Sequence, residues 1–445
     1  MKDLTKGSPA KIIIMFTIPV MLGYILQQLY NMADGKIVSA YVSPKALAAV
    51  GATAVVSNTI IGFINGLTQG FAIPVANAFG AKDYKKLKKY VAGTFVLTFV
   101  SSVILTVLSL KFINNILTWL DTPGEIMPQA VAYVKIILAG IILTAVYNCS
   151  ANLLRAVGDS KTSLYCLLVS VIVNIGLDLL FVCGFDWGIK GAAYATIIAQ
   201  GLAGVLCASY MAIKYKEILP EKGDFVPEKE QYRTLISTGL SMGLMSCIVN
   251  VGTVVLQGAI NKLGTNIVTA HTAARRVFDI LSVMIFTFGI SLTTFVSQNM
   301  GAGKYDRVKQ GVRQTLAIVT AVTTVLIIVC YLFSKPVFMW LSSSDEPEIV
   351  DSAVMYAKIS ILFFYVLGPL FIFRYSLQGM GRKIIPIMSS VLEMLVKILS
   401  AGFLVPKLGY VGVAFTEPIS WIVMTILLAT AYYKYSRQML IGGTE

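Results

Sequence analysis

Asp34 lies inside a hydrophobic run, residues 12–42, that carries almost no other charge. A carboxylate at that depth costs roughly 2.5–3.5 kcal/mol to insert into a bilayer. Such a residue faces a cavity, a partner or an ion path rather than lipid. Asp178 sits alone in the fifth hydrophobic run. Around each acid the polar residues fall at helical spacing. Gln27, Tyr30, Asn31 and Asp34 stand at i, i+3, i+4 and i+7, one polar stripe on an otherwise apolar rod. Asn174 and Asp178 share a face at i, i+4, as do Thr196 and Gln200 on the next run. Counting rise per residue, Asp34, Asp178 and Thr196 reach similar depth in the outer half of their helices. Their side chains are expected to converge there. Two carboxylates in one low-dielectric pocket cannot both ionise cheaply, so they titrate as a unit. Either they load protons, or both stay ionised and hold a sodium ion among oxygen neighbours. Reversible uptake of a small cation inside a membrane implies ion-coupled transport.

Other residues that could do chemistry carry a plainer alternative. Lys36 is two residues past Asp34 and points away from it on a helix. It reads as a side chain snorkelling to the interface, with a direct pair to Asp34 as the other reading. Arg275 and Asp279, and Glu393 and Lys397, are i, i+4 pairs, each able to neutralise itself in a structural role. His271, the single histidine, reads as a hydrogen-bonded core residue before a proton relay. Glu417, just before Pro418, receives no role. Gln200, Phe286 and Tyr365, with Phe288, Phe363 and Phe364, are candidates to line a substrate cavity, although packing is the commoner use of aromatic residues. Gly301 to Lys304 is not a phosphate-binding loop, because the Walker spacing is incomplete and no strand precedes it. The six cysteines show no CxxC or Cys/His spacing, so no metal site and no cofactor is expected.

The elements that must position these residues follow from composition. The chain has 445 residues, mean hydropathy +0.77, 56% apolar and 13% charged residues. Soluble domains carry about 25% charged residues. Twelve apolar runs long enough to span a bilayer recur at about 12–42, 45–79, 90–112, 128–155, 162–183, 190–214, 233–262, 266–300, 308–333, 350–379, 384–406 and 410–435. The run after Lys2, Lys6 and Lys11 is too long for a signal peptide and reads as the first span. Pro19, Pro74, Pro369 and Pro418 are expected to mark kinks. Net charge is +14, but the Lys and Arg residues concentrate in alternate loops, such as Lys82 to Lys89, Lys214 to Arg233 and Lys304 to Arg313. That distribution is the positive-inside pattern. It puts both termini on the cytoplasmic side and argues against a nucleic-acid partner.

The chain also repeats itself. Asn77-Ala-Phe-Gly80-Ala-Lys-Asp-Tyr84 aligns with Gln298-Asn-Met-Gly301-Ala-Gly-Lys-Tyr305. Leu154-Arg-Ala-Val-Gly158-Asp aligns with Leu377-Gln-Gly-Met-Gly381-Arg, and Gly188-Ile-Lys-Gly191-Ala-Ala-Tyr194 with Gly409-Tyr-Val-Gly412-Val-Ala-Phe415. Six spans per repeat is an even number, so both halves insert the same way, with a pseudo-twofold axis along the membrane normal. The expected fold is an all-α membrane protein of two six-helix bundles, residues 1–220 and 221–445.

Over nearly its whole length the chain resembles the multidrug and toxic compound extrusion family (MATE). The residues that carry the likeness are Tyr30-Asn-Met-Ala-Asp34-Gly on the first helix, the paired loops at Asn77 and Gln298, Leu154 to Asp159, and Asn174-Ile-Gly-Leu-Asp178 on the fifth helix. Within that family the chain is similar to the branch of the DNA-damage-inducible proteins. The resemblance implies a V of two bundles around a central cavity. It implies an exporter of small organic cations in antiport with H+ or Na+. One chain holds both halves, so a monomer in the cell membrane is expected. It also implies that coupling residues cluster in the first bundle, at Asp34, Asn174, Asp178, Thr196 and Asn148. A sodium-coupled branch uses acids on helices seven and ten. Helix seven has none here, and helix ten has none after Asp351. Two other functions remain as alternatives. A lipid-linked oligosaccharide flippase of the same superfamily would want internal Arg and Lys for a diphosphate. A membrane-embedded sensor or enzyme would want a soluble domain or a catalytic constellation.

Overall fold

The computed structural model describes residues 2–120, 122–342 and 346–442. Among them the regular structure is helical. The helices are α1 (Pro9–Tyr41), α2 (Pro44–Gly80), α3 (Tyr84–Trp119), α4 (Met127–Ala139), α5 (Ile141–Ala156), α6 (Ser160–Asp178), α7 (Gly188–Lys214), α8 (Lys229–Asn261), α9 (Thr265–Gly301), α10 (Tyr305–Ser342), α11 (Pro347–Leu362), α12 (Phe364–Gly379), α13 (Ile384–Leu399), α14 (Val405–Leu408) and α15 (Tyr410–Gly442). Ten helices are long and apolar enough to cross a membrane, and two bent pairs bring the spans to twelve. The chain is an all-α, multi-pass membrane protein. In lipid each backbone N–H must be satisfied within its own segment, which is why apolar runs of this length become helices.

The four prolines named above lie within helices rather than between them. Helical geometry runs through Pro19, Pro74, Pro369 and Pro418. The sharp breaks are at Gly140, where α4 meets α5 at 43°, and at Phe363, where α11 meets α12 at 51°. The two positions correspond in the internal repeat. Wider turns of helix also recur in register, at Leu179–Gly184 and Ser400–Leu404. So do the left-handed residues that end or start helices: Lys82 with Gly303, Gly158 with Gly381, and Gly188 with Gly409. Glycine suits that backbone region because it has no Cβ to clash. The sequence repeat is therefore a repeat of backbone devices as well as of hydropathy.

The described residues group into two compact units. One holds the first residues up to Asp3 and Ile18–Cys247; the other holds Leu4–Thr17 and Ile248–Glu445. The first boundary precedes α1, and the other two fall inside helices, α1 and α8, rather than in the polar linker at 215–228. In the first unit, α8 crosses α2 through glycines on both sides. A Cβ on Gly66 would stand 2.6 Å from the Met242 carbonyl oxygen, and one on Gly70 would collide with the Thr238 carbonyl. Gly239 and Gly243 meet Phe71 and Phe63 in return. Backbones approach this closely only across small residues. In the second unit, the segment before α1 is held by the loop that ends α9. The Leu4 amide donates to Gln298 Oε1 at 2.9 Å, Lys304 Nζ donates to the Thr5 carbonyl at 2.8 Å, and Arg307 Nη2 to the Leu4 carbonyl at 3.3 Å.

Candidate cation-coupling site

α1, α4, α6 and α7 bring a small polar cluster together inside the first unit. Tyr30 is buried, and its hydroxyl donates to Thr196 Oγ1 at 3.2 Å, tying α1 to α7. Thr196 passes its own proton to the Ala192 carbonyl at 2.9 Å, one turn back on α7. Asp178 is fully buried at the end of α6, and Asn174 is buried one turn before it. Asp34 interacts electrostatically with Asp178, and both act on Tyr30 and on Tyr133 of α4. The acids flagged by their isolation in sequence thus share one pocket.

The bonding within that pocket is incomplete. Both carboxylate oxygens of Asp178, the Oδ1 of Asp34 and both side-chain polar atoms of Asn174 are buried without a hydrogen-bond partner. Among the described residues no Lys or Arg pairs with either acid. Lys36 is exposed, which is the snorkelling arrangement. A buried carboxylate with neither a countercharge nor a donor is expensive. It becomes tolerable when a proton neutralises it or a cation sits against it. Tyr30 and Tyr133 lie near enough to feel both acids, and the Asn174 amide is one turn from Asp178 on α6, so the nearest polar groups carry no positive charge.

Not every candidate residue joins the cluster. The helix-one stripe divides: Tyr30 is buried, Gln27 half-buried and Asn31 exposed. Asn148 is half-buried on α5 and donates to the Thr144 carbonyl of its own helix at 3.0 Å. Gln200 is half-buried, with a buried Oε1 that lacks a partner. Phe286 and Tyr365 belong to the second unit. Phe286 packs against Phe371 with centroids 6.1 Å apart, and the exposed Tyr365 shares a 2.9 Å hydrogen bond with Thr324. Tyr133 is the residue that sequence reasoning missed. It is one tyrosine in an apolar run, with no charged neighbour at helical spacing to mark it.

The second unit treats its buried acids differently. Arg374 Nη2 lies 3.7 Å from Glu393, Glu393 3.0 Å from Lys397, Lys397 3.3 Å from Glu417, Glu417 3.4 Å from Arg275, and Arg275 3.2 Å from Asp279. Charge alternates along the whole chain of six groups. The two i, i+4 pairs expected from sequence are present, and Glu417 joins them into one network. Arg374, counted by its position among the basic loops, is instead buried, with a 3.2 Å hydrogen bond to Ser389. His271 Nδ1 lies 3.4 Å from the Tyr410 hydroxyl, the hydrogen-bonded role expected for it.

Known proteins resemble the chain over nearly its whole length. The MatE family model matches residues 19–180 and 242–401, one match in each repeat. The probable multidrug resistance protein YpnP of Bacillus subtilis is 26% identical over 443 residues, covering 98% of this chain and 97% of its own. The FAD transporter of Shewanella oneidensis is 22% identical over 445 residues, covering 98% and 97%. A crystal structure of a MATE transporter in the bent conformation superposes with a TM-score of 0.92 at 23% identity, covering 99% of this chain and 98% of that one. Twelve spans in two repeats, a pair of unneutralised acids in the first unit and a family match across both halves converge on one assignment: the chain belongs to the MatE family of multidrug efflux transporters, and it is not an enzyme.

Proposed function

We propose that the chain exports small organic cations from the cytoplasm in exchange for H+ or Na+, by alternating access, as a monomer with both termini cytoplasmic. The observation that carries the reading is the contrast between the two sets of buried acids. Those of the second unit are neutralised by Arg and Lys. Asp34 and Asp178 are not, so they alone are free to take a cation from outside and give it up inside. Binding removes negative charge from the pocket and changes what Tyr30, Thr196 and Asn174 bond to. α1 carries both Tyr30 and Asp34, so it is the element whose packing responds.

The cargo is read as cationic because few buried positive groups are uncommitted. FAD is an anion, and its transporter from Shewanella oneidensis is a relative. In this chain the half-buried Arg275 and the buried Arg374 and Lys397 are each already held by a carboxylate. A phosphate would have to displace one, and the same holds for a lipid-linked diphosphate.

The test uses proteoliposomes with an imposed pH gradient, or a Na+ gradient at fixed pH and potential. Gradient-driven ethidium efflux should fall at least tenfold in Asp34→Asn and in Asp178→Asn. Efflux at the wild-type rate in both variants would reject the assignment, and whichever gradient drives the wild type names the ion.

A further inference from the structure

The chain of alternating charges in the second unit ends in an arrangement its neutralising role does not need. The Arg275 guanidinium carbon sits 4.7 Å from the centre of the Phe278 ring. That ring is itself stacked on Trp421 at 5.7 Å and 13°, and meets Phe364 edge-on at 5.4 Å. On its other edges the guanidinium reaches Asp279 at 3.2 Å and Glu417 at 3.4 Å. A planar, delocalised, weakly hydrated cation thus lies on an aromatic face between two carboxylates. Those are the features by which organic cations are recognised. A narrow apolar crevice lies alongside, lined by Phe278, Leu281, Tyr356 and Phe364; it has room for about one water, so a larger ligand takes the space the guanidinium leaves.

The occupant is also able to leave. The Arg275 and Asp279 side chains are 36% and 45% exposed, whereas Lys397 is 2% exposed. If Arg275 swings out to water, Glu417 keeps Lys397 and Lys397 keeps Glu393. No deep charge is orphaned; the Asp279 carboxylate and the Phe278 face are vacated, and the buried Tyr356 hydroxyl loses the hydrogen bond it accepts from Arg275.

We propose that Asp279, Glu417 and Phe278 form an organic-cation site in the second unit, and that Arg275 is its tethered competitor. The ligands are monovalent cations whose charge is delocalised or shielded by aromatic groups. They bind by displacing the guanidinium, and the returning guanidinium expels them. The site rests on the reading of the cargo as cationic, but its action needs no ion gradient. A site that is vacant for only a fraction of the time binds more weakly by that fraction, so Arg275 lowers the affinity and speeds release.

The experiment measures equilibrium binding of tetraphenylphosphonium to the full-length protein in lipid nanodiscs, with no gradient. Arg275→Gln should bind about tenfold more tightly than wild type. Arg275→Lys, which keeps the charge but loses the planar fork, should gain about threefold. Adding Asp279→Asn to Arg275→Gln should cancel the gain. Binding by Arg275→Gln equal to or weaker than wild type overturns the proposal, as does a gain that survives loss of Asp279. If Arg275→Gln does not fold, Arg275→Lys with unchanged or weaker affinity overturns it on its own. The same comparison on an Asp34→Asn/Asp178→Asn background separates the two readings. A retained gain there, together with wild-type efflux in the single Asp34 and Asp178 variants, would sink the coupling assignment and leave this site standing.

Discussion

Glu417 and Asp178 are both hidden from solvent, yet they keep different company. Glu417 stands between Lys397 and Arg275; Asp178 has hydroxyls, an amide and another acid around it. Neutralising them should have opposite structural consequences. Glu417→Gln strips Lys397 and Arg275 of a shared partner, and breaking a buried pair in this way costs about 3–5 kcal/mol. Asp279→Asn, at the exposed end of the same network, should cost about 1 kcal/mol or less. Asp178→Asn removes an uncompensated carboxylate and should leave stability unchanged or raised while abolishing coupling. Thermal unfolding of the detergent-solubilised protein orders the three; a Glu417→Gln midpoint equal to that of Asp279→Asn would contradict the network. Much of this was readable in the sequence. Isolation in an apolar run marked Asp34 and Asp178, and i, i+4 spacing marked both ion pairs. Glu417 was not, because its partners lie on other helices at positions 275 and 397. Spacing rules see one helix at a time, and Tyr133 escaped for the same reason.

At the scale of elements, hydropathy located every span, because the bilayer fixes how long an apolar helix must be. It did not locate the breaks. Proline was the expected cause, since it removes a backbone donor. The chain also breaks at Gly140 and Phe363 and widens at 179–184 and 400–404, positions that no helix-interior proline marks. Nor did hydropathy show that glycines on α2 and α8 let two helix backbones approach closely in the first unit. Those glycines have no counterpart in the repeat: the positions matching Gly66 and Gly70 are Thr287 and Ser291. The two units share a fold but not this contact. Gly70→Ala should therefore destabilise the first unit by about 1–3 kcal/mol through overpacking. Gly258→Ala, on α8 with nothing near its missing Cβ, should be neutral or slightly stabilising. The paired unfolding midpoints check this, and equal shifts would mean that the α2–α8 approach is not a constraint.

Across the whole molecule, charge decides which way the chain sits and how the membrane potential acts on it. The basic loops at Lys82 to Lys89 and Lys304 to Arg313 are expected on the cytoplasmic side. A cysteine at Lys85 in a cysteine-free background should then react with an impermeant maleimide only after cells are opened, and one at Lys45 in intact cells. Reversal of that pattern would invert the direction of transport argued above. The same geometry makes a statement about stoichiometry. Two acids that each take up one proton, against one monovalent organic cation leaving, bring one net positive charge inward per cycle. The membrane potential contributes about 2.3 kcal/mol per 100 mV for each such charge, so 100 mV should raise the limiting cation gradient by roughly 50-fold. Removing one of the two acids should do more than slow this exchange. If Asp34→Asn retains any transport, one proton for one cation is electroneutral, and an imposed potassium diffusion potential should no longer change the gradient it builds. A residual activity in Asp34→Asn that still responds fully to potential would mean that the second charge enters elsewhere, and that Asp34 and Asp178 do not each carry one.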